Sequence, residues 1–266
     1  MGFFDAAKAA YNGNRAYHLH VDANKLAGEG KVAQAKEKYQ AALKLYDEAV
    51  RQGNNAPNIL QAYVLLLMRE NEFEKARALL EDMSRRKGLS DGEWAQLRLQ
   101  YSIYLWHTGE LDRAIETINR AAAKGMNGSI YGTLGMYWVD KARQTGEFGP
   151  ALEFNRQAMD YDDEDAATLD NMAQLHEAMA EAEPDGEKAA ALRARALDYY
   201  KKAHAQKPRQ ITTIYYLARM LHRNGDDAGA RKLLANRDTL YISAICPVTR
   251  EIMDQLATEV HSDSSH

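Results

Sequence analysis

An alanine recurs six times along the chain, each time about five residues after a short turn rich in Gly or Asn. The spacings are 41, 38, 37, 45 and 34 residues, and the positions are Ala35, Ala76, Ala114, Ala151, Ala196 and Ala230. A side chain this small is needed where two helices pack at close range, because a larger one would push their axes apart. The sequence therefore predicts a succession of helix-turn-helix pairs.

A second small residue follows seven positions later on the same predicted helix face. Four of the six units keep this phase, at Ala42, Ala121, Ala158 and Ala203. Met83 and Arg237 stand at the other two positions. The chain has only five prolines among 266 residues, and no segment bounded by turn signals has the pattern of a strand. The predicted fold class is all-α.

The clearest unit runs from Gly128 to Asp165. Its first half carries Tyr131, Leu134-Gly135 and Trp138, and its second half follows a turn at 146–148 and carries Ala151 and Ala158. This pattern resembles the tetratricopeptide repeat (TPR), whose signature is a large apolar residue, Leu-Gly, an aromatic residue and small residues on the second helix. The resemblance implies a right-handed α-solenoid of about six helix-turn-helix pairs with terminal capping helices.

The repeats set the predicted domain boundaries. An N-terminal amphipathic capping helix is expected in 1–15, a solenoid in 16–237, a C-terminal capping helix in 238–260 and a disordered tail in 261–266. The six units fall at about 16–55, 56–91, 92–127, 128–164, 165–208 and 209–237. The first helix is expected to stop at Asn12-Gly13-Asn14, and residues 238–246 to form a short irregular link. Pro247 is expected to open the last helix, with Ile252, Leu256 and Val260 on its inner stripe.

The charge distribution limits the partners. A net charge of −4 argues against a general nucleic-acid binder, which needs a basic face. Residues 153–187 hold twelve acidic and one basic side chain, whereas 188–237 hold twelve basic and three acidic ones. These blocks are expected to pair with each other or to face water, and any further role stays open.

The compartment is expected to be the cytoplasm. The single cysteine, Cys246, cannot form an internal disulfide, so nothing demands an oxidising environment. No run of eighteen apolar residues occurs, and the N-terminus lacks the basic and apolar regions of a signal peptide.

No pattern of catalytic, cofactor or metal-binding residues emerges. His18 and His20 would point to different sides of a helix, and no HExxH motif or cysteine pair occurs. The glycines between Gly125 and Gly135 follow no strand and precede no Lys-Ser/Thr, so they are not a phosphate loop. We therefore expect no metal, no cofactor and no enzymatic activity.

The resemblance implies that the first helix of each pair lines a concave groove that binds a partner. The predicted groove residues are Asn24, Asn58, Gln61, Arg69, Gln100, Trp106, His107, Asn171, Gln174, Tyr215, Arg219 and Arg223. Amides can satisfy a peptide backbone, aromatic rings offer contact area, and arginines bind carboxylates. Arg219, Arg223 and Tyr215 would form an end for acidic ligands, and Trp106 a central anchor.

The predicted function is a non-enzymatic scaffold or adaptor that binds a protein, as a peptide or a helix, in this groove. One alternative is a self-assembling structural protein, in which Phe3, Phe4 and the ends of the solenoid pair between copies. Another is a membrane-surface adaptor that binds through the N-terminal helix. Partner identity, pathway and oligomeric state are left open by the sequence.

Overall fold

The structure is a computed structural model that describes residues 3–262, with side chains from residue 5 onward. Thirteen α-helices and no β-strand occur in this range, which confirms the all-α prediction. They are α1 (Phe3–Gly28), α2 (Val32–Arg51), α3 (Pro57–Arg69), α4 (Phe73–Ser84), α5 (Asp91–His107), α6 (Leu111–Ala122), α7 (Gly128–Thr145), α8 (Gly149–Tyr161), α9 (Ala166–Ala182), α10 (Gly186–Gln206), α11 (Ile211–Arg223), α12 (Asp227–Leu234) and α13 (Arg250–Ser262). The fold is an all-α helical-repeat solenoid.

The repeated alanines lie where the sequence predicts close packing. All six are between 0 and 1 % exposed, and the four second alanines are equally buried. Met83, which interrupts the small-residue pattern, is also buried at 1 % exposure in α4. Arg237 lies beyond α12, in a short 3₁₀ turn at Arg237–Thr239. The predicted helix pairs are therefore confirmed at the positions that define them.

Helices approach closely around Gly135 on α7. A Cβ atom at this position would lie 2.5 Å from Asn155 Oδ1 and 2.7 Å from Asn171 Nδ2, too close for any real contact. The fully buried Asn155 donates its side-chain amide to the carbonyl oxygens of Gly135, at 3.3 Å, and Ala151, at 2.9 Å. Gly135 is therefore needed for packing, as the sequence indicates.

The chain forms two compact units. Unit 1 contains the residues up to Gly109 together with Asp238–Ile245, and unit 2 contains Glu110–Arg237 and the residues from Cys246 onward. We call Asp238–Ile245 the return segment, because this part of the chain after α12 belongs to the unit formed by the first helices. The sequence identified it only as an irregular link.

In unit 1, the prediction that a helix stops at Asn12–Asn14 is wrong, because α1 continues to Gly28. Glycine inside a helix costs about 1 kcal/mol, but here Gly13 allows a close approach. A Cβ on Gly13 would lie 2.3 Å from Asn54 Nδ2, whose amide donates to the Ala9 carbonyl at 2.9 Å. Asn12 donates to Gln52 at 3.1 Å. These contacts hold α1 against the link between α2 and α3, and they offset the weak helix propensity.

In unit 2, a short loop at Glu183–Asp185 joins α9 to α10, and Asp185 caps α10 by accepting from the amides of Glu187 and Lys188. The last helix packs against α11 and α12. It begins at Arg250 rather than at Pro247, and its buried residues are Met253, Leu256, Ala257 and Val260.

The predicted inner position of Ile252 is wrong, since this side chain is 37 % exposed. Met253, three residues before Leu256, lies in the buried stripe instead. Helix α13 includes residues 261 and 262, and the remainder of the predicted tail lies outside the described residues.

The two charge blocks meet within unit 2. Arg219 and Arg223 contact Glu177, Arg223 also contacts Glu181, and Lys207 lies 3.9 Å from Asp165. These contacts support the interpretation that the blocks neutralise each other. Within 3–262, no helix is both long enough and apolar enough to cross a bilayer.

Candidate functional site

Two of the predicted groove residues, Asn24 on α1 and Arg69 at the end of α3, converge in unit 1. The Arg69 guanidinium donates to Asn24 Oδ1 at 2.8 Å and to the Tyr39 hydroxyl at 3.3 Å. Tyr39, on α2, donates its own hydroxyl to the same Asn24 oxygen at 2.8 Å. The three side chains therefore hold one another in place from three different helices. With Glu70, which follows Arg69, we call this group the tyrosine cradle.

The return segment lies on the tyrosine cradle. The Tyr241 ring packs against the Tyr39 ring with centroids 4.9 Å apart. The guanidinium carbon of Arg69 is 5.1 Å from the Tyr241 centroid and 5.3 Å from the Tyr39 centroid, a cation–π distance for both rings. Tyr241 is 9 % exposed and its neighbour Leu240 is 5 % exposed.

Two hydrogen bonds fix the segment further. The Tyr241 hydroxyl donates to the Glu70 carboxylate. The amide of Ala244 donates to the Arg69 carbonyl at 2.9 Å. This carbonyl lies at the C-terminal end of α3, where backbone oxygens have no partner within the helix. The same non-helical stretch of chain thus contacts the helix end, one carboxylate and one guanidinium.

The electrostatics of the cradle follow from burial and from Arg69. Burial raises the pKa of Tyr39, and burial together with the hydrogen bond to Glu70 raises the pKa of Tyr241, so both phenols are protonated at neutral pH. Nearby, His20 packs edge-on to the rings of Tyr39 and Tyr46. Burial, and secondarily the charge of Arg69, lowers the pKa of His20 to about 4.

The remaining predicted residues of unit 1 lie on α3 and α5. Gln100 is 2 % exposed and donates to the Gln61 carbonyl at 2.8 Å, while Gln61 donates to the Glu93 carbonyl at 3.3 Å. These amides connect neighbouring helices, which is a structural use. His107 stacks on Phe73 with centroids 3.8 Å apart, Trp106 is half-buried, and Asn58 is exposed.

The amides predicted on α9 are buried in unit 2. Asn171 is 5 % exposed and donates to the Gly132 carbonyl at 2.8 Å. Gln174 is 7 % exposed, donates to Asp170 at 3.0 Å and accepts from Arg143 at 3.2 Å. Their hydrogen-bonding capacity is largely used between and within helices, so their geometry favours packing over contact with a partner.

The predicted acidic-ligand end of unit 2 already contains a carboxylate. Arg219 contacts Glu177 at 2.7 Å and Arg223 contacts it at 3.2 Å. Glu177 also accepts a hydrogen bond of 2.8 Å from the buried Tyr200. The Arg219 guanidinium carbon lies 5.6 Å from the ring of Tyr215. A ligand carboxylate at this place would compete with Glu177 for both arginines.

Unit 2 also has a surface cavity of about 660 Å³ between α8, α9 and α10. Arg156 and Arg195 line it, together with Asp160 and the Asp198–Lys202 pair, whose charged atoms are 2.8 Å apart. The mixed charge of the wall does not select one class of ligand. Within 3–262, no three His, Cys, Asp or Glu side chains converge in a way that could hold a metal ion.

Asn24 and Arg69 of the tyrosine cradle were among the residues predicted from the sequence, whereas Tyr39, Glu70 and Tyr241 were not. Tyr39 belongs to a second helix, and the predicted groove residues come from the first helices. Tyr241 lies 171 residues from Glu70 in sequence. One local signal was available, since Leu240-Tyr241-Ile242 is an apolar run inside a segment that otherwise has the character of a link.

Comparison with known proteins supports the repeat assignment. The tetratricopeptide-repeat family model matches residues 33–101. A thermophilic TPR protein of Thermus thermophilus aligns with 18% identity and a TM-score of 0.52, over 64% of this chain and 82% of that one. PilW, a type IV pilus biogenesis factor, aligns with 13% identity and a TM-score of 0.55, over 91% of this chain and 98% of that one.

Human IFIT1, solved as a dimer with PPP-AAAA, aligns with 15% identity and a TM-score of 0.59 over 85% of this chain. This chain spans about half the length of IFIT1, with 50% of it covered. No curated protein sequence matches this chain significantly.

The family model shows tetratricopeptide repeats in residues 33–101, and together with the structural neighbours it supports the prediction of a tetratricopeptide-repeat protein. At such low identities the solved structures establish the fold alone. The fold and the repeat type support a protein-interaction scaffold as the general class of function.

Proposed function

We propose that this protein is a non-enzymatic adaptor that binds an extended segment of a partner protein on the surface formed by the first helices of its repeats. The observation that carries the proposal is the return segment on the tyrosine cradle, where a non-helical stretch is held by one aromatic side chain and one backbone amide. Main-chain hydrogen bonds and pockets for side chains are contacts through which proteins recognise extended peptides.

A protein partner is favoured over nucleic acid. The net charge is −4, and Arg223, an exposed arginine of unit 2, is accompanied by the carboxylates of Glu177 and Glu181. Binding of PPP-AAAA belongs to human IFIT1 and is not transferred to this chain. The cytoplasmic location is part of the proposal and rests on the single cysteine, Cys246.

Of the predicted site residues, Trp106 and Arg223 are the best probes. Trp106 is half-buried on α5, and Arg223 keeps 54% of its side chain exposed on α11. Arg219 is a poor probe, because its contact with the buried Glu177 makes its removal a change in stability as well. The self-assembly alternative rests on Phe3 and Phe4, whose side chains lie outside the described residues.

The test is capture of partners from native cell extract with three immobilised proteins. These are the wild type, a Trp106→Ala/Arg223→Ala variant, and a Tyr161→Ala/Lys201→Ala control that removes an exposed aromatic residue and an exposed cation from second helices. Each captured partner is then made recombinantly, and its affinity is measured by calorimetry.

We expect one partner to be retained by the wild type and the control and lost by the Trp106→Ala/Arg223→Ala variant. Partners retained equally by all three proteins would refute binding at the predicted surface. Retention of copies of the bait alone would instead favour self-assembly.

A further inference from the structure

The return segment contacts unit 1 in the manner of a bound peptide. Residues 240–243 adopt neither helix nor strand. Only Leu240 and Tyr241 of the segment are buried, and the residues from 242 to 245 keep intermediate exposure. The contacts of the segment with unit 1 include the Tyr241 ring and hydroxyl, the buried Leu240 and the Ala244 amide.

The tyrosine cradle is held together by its own contacts. Asn24 accepts hydrogen bonds from Arg69 and from Tyr39, both at 2.8 Å, and Glu70 accepts one of 3.0 Å from Gln40. None of these contacts involves the return segment. The cradle is therefore expected to keep its shape when the segment leaves, and a preorganised site loses little free energy on binding a replacement.

We propose that the return segment is an intramolecular ligand of the tyrosine cradle, and that the cradle takes from a partner an extended peptide with a tyrosine and a free backbone amide three residues after it. This inference rests on the proposed function and adds to it the chemistry of the partner and a means of regulation. In the free protein the cradle is occupied, so a partner binds by displacing the return segment.

The chemistry of the cradle sets an order of preference among aromatic residues. Tyrosine satisfies the Glu70 carboxylate and packs against both Arg69 and Tyr39. Phenylalanine would fill the same space and leave the carboxylate without its hydroxyl donor, which weakens binding. Phosphotyrosine would place negative charge against Glu70. The expected order is tyrosine, then phenylalanine, with phosphotyrosine excluded.

Occupation by the return segment lowers the apparent affinity for any competitor. A tethered segment has an effective concentration of about 1 mM, so a segment with an intrinsic Kd of about 10 μM would keep the cradle about 99 % occupied. The apparent Kd of a competing peptide would then rise about 100-fold. Weakening the return segment should recover most of this loss, and this gain in affinity is what separates a displaceable ligand from a fixed structural strap.

The test uses a fluorescent peptide with the sequence of residues 236–246, carrying Cys246→Ser, and measures its anisotropy with the full chain. Four proteins are compared: the wild type, Tyr241→Ala, Tyr241→Ala/Arg69→Ala, and Tyr241→Ala/Arg85→Ala. Arg85 is the matched control, because it is an exposed arginine of unit 1 whose side chain lies away from the cradle. Peptides with phenylalanine or phosphotyrosine at the tyrosine position test the order of preference.

We expect Tyr241→Ala to bind the tyrosine peptide at least tenfold more tightly than the wild type does. Adding Arg69→Ala should abolish this gain, while adding Arg85→Ala should leave it unchanged. The phenylalanine peptide should bind at least about threefold more weakly, and the phosphotyrosine peptide should not bind. Should Tyr241→Ala fail to fold by circular dichroism, Tyr241→Phe keeps the ring and should still show a measurable gain.

Several outcomes would overturn the inference. A folded Tyr241→Ala protein that binds no better than the wild type would make the return segment a structural strap. Preference for phosphotyrosine would contradict the role of Glu70. A wild-type dimer in light scattering that dissociates on Tyr241→Ala would assign the segment to a neighbouring copy. If the peptide test fails while a partner is still lost with Trp106→Ala/Arg223→Ala, this inference falls and the proposed function stands.

Discussion

Glu177 is a buried carboxylate on which unit 2 is expected to depend. Its side chain is 4% exposed, and it accepts hydrogen bonds from Tyr200 at 2.8 Å, from Arg219 at 2.7 Å and from Arg223 at 3.2 Å. We predict that Glu177→Ala destabilises unit 2 strongly, whereas Glu181→Ala, one helical turn further on, has almost no effect. Both carboxylates contact Arg223, so the pair of variants compares a buried carboxylate that has two further partners with an exposed one.

The magnitude follows from what each variant leaves behind. Glu177→Ala leaves the Arg219 guanidinium uncompensated, and breaking a buried ion pair in this way costs about 3–5 kcal/mol. Because Arg219 keeps 24% exposure, water recovers part of that cost. The buried Tyr200 hydroxyl also loses its acceptor, at about 1 kcal/mol. The expected loss is about 3 kcal/mol. Glu181 is 59% exposed, and an exposed pair contributes about 0.3 kcal/mol.

Urea denaturation measures both variants. The tryptophans at 94 and 106 lie in unit 1 and Trp138 lies in unit 2, so a Trp94→Phe/Trp106→Phe background makes fluorescence a reporter of unit 2 alone. This separation matters because a protein of two units need not unfold in a single two-state step. A double-mutant cycle of Glu177→Ala with Arg219→Ala should give a coupling above about 1 kcal/mol. Equal losses for the two glutamate variants, or a coupling near zero, would refute the reasoning.

Three further predictions concern buried groups. The pKa of His20 is lowered from 6.5 to about 4, so the folded state prefers the neutral imidazole. The resulting stabilisation of the fold is complete above pH 6.5, and about 3 kcal/mol of it is lost as the pH falls towards about 4. His20→Phe should flatten this part of the stability–pH profile, measured by urea midpoints at pH 7 and pH 4, and an unchanged slope would contradict it. In thermal melts, Gly135→Ala should destabilise the protein by about 2–3 kcal/mol through overpacking. Gly128→Ala, which has no atom within 4 Å of its new Cβ, should be neutral in the same assay. Equal effects of the two substitutions would exclude packing as the cause. Burial raises the pKa of Asp170, whose oxygens accept from Thr213 and Gln174, so the wild type should gain stability relative to Asp170→Asn as the pH falls and the native carboxyl is protonated; a stability difference that does not depend on pH would rule out this explanation.

The sequence predicted the helices well because their signals are local. A small residue repeated at nearly constant spacing, together with turn residues before it, specifies helix pairs without any knowledge of distant contacts. Ala35 and Ala230 are both fully buried as expected, although 195 residues separate them. Where local signals were weak the prediction was wrong: Gly13 was interpreted as a helix stop, and Ile252 as an inner residue of the last helix.

The candidate site was only partly predictable for the same reason. Asn24 and Arg69 follow from their positions in the repeat, since such positions are repeated and can be counted. Gln100 and Asn171 follow the same count but are buried against neighbouring helices, and their depth depends on the packing of side chains around them.

The sequence alone determined that this protein is an all-α repeat with six alanine-centred helix pairs, because helix propensity and close helix packing depend on residues only a few positions apart. Only the tertiary structure decided that Tyr241 packs against Tyr39 and Arg69 and that Glu177 forms ion pairs with two arginines. Those contacts join residues far apart in the chain, and their free energy depends on burial and on the alignment of charged groups, which no local pattern encodes.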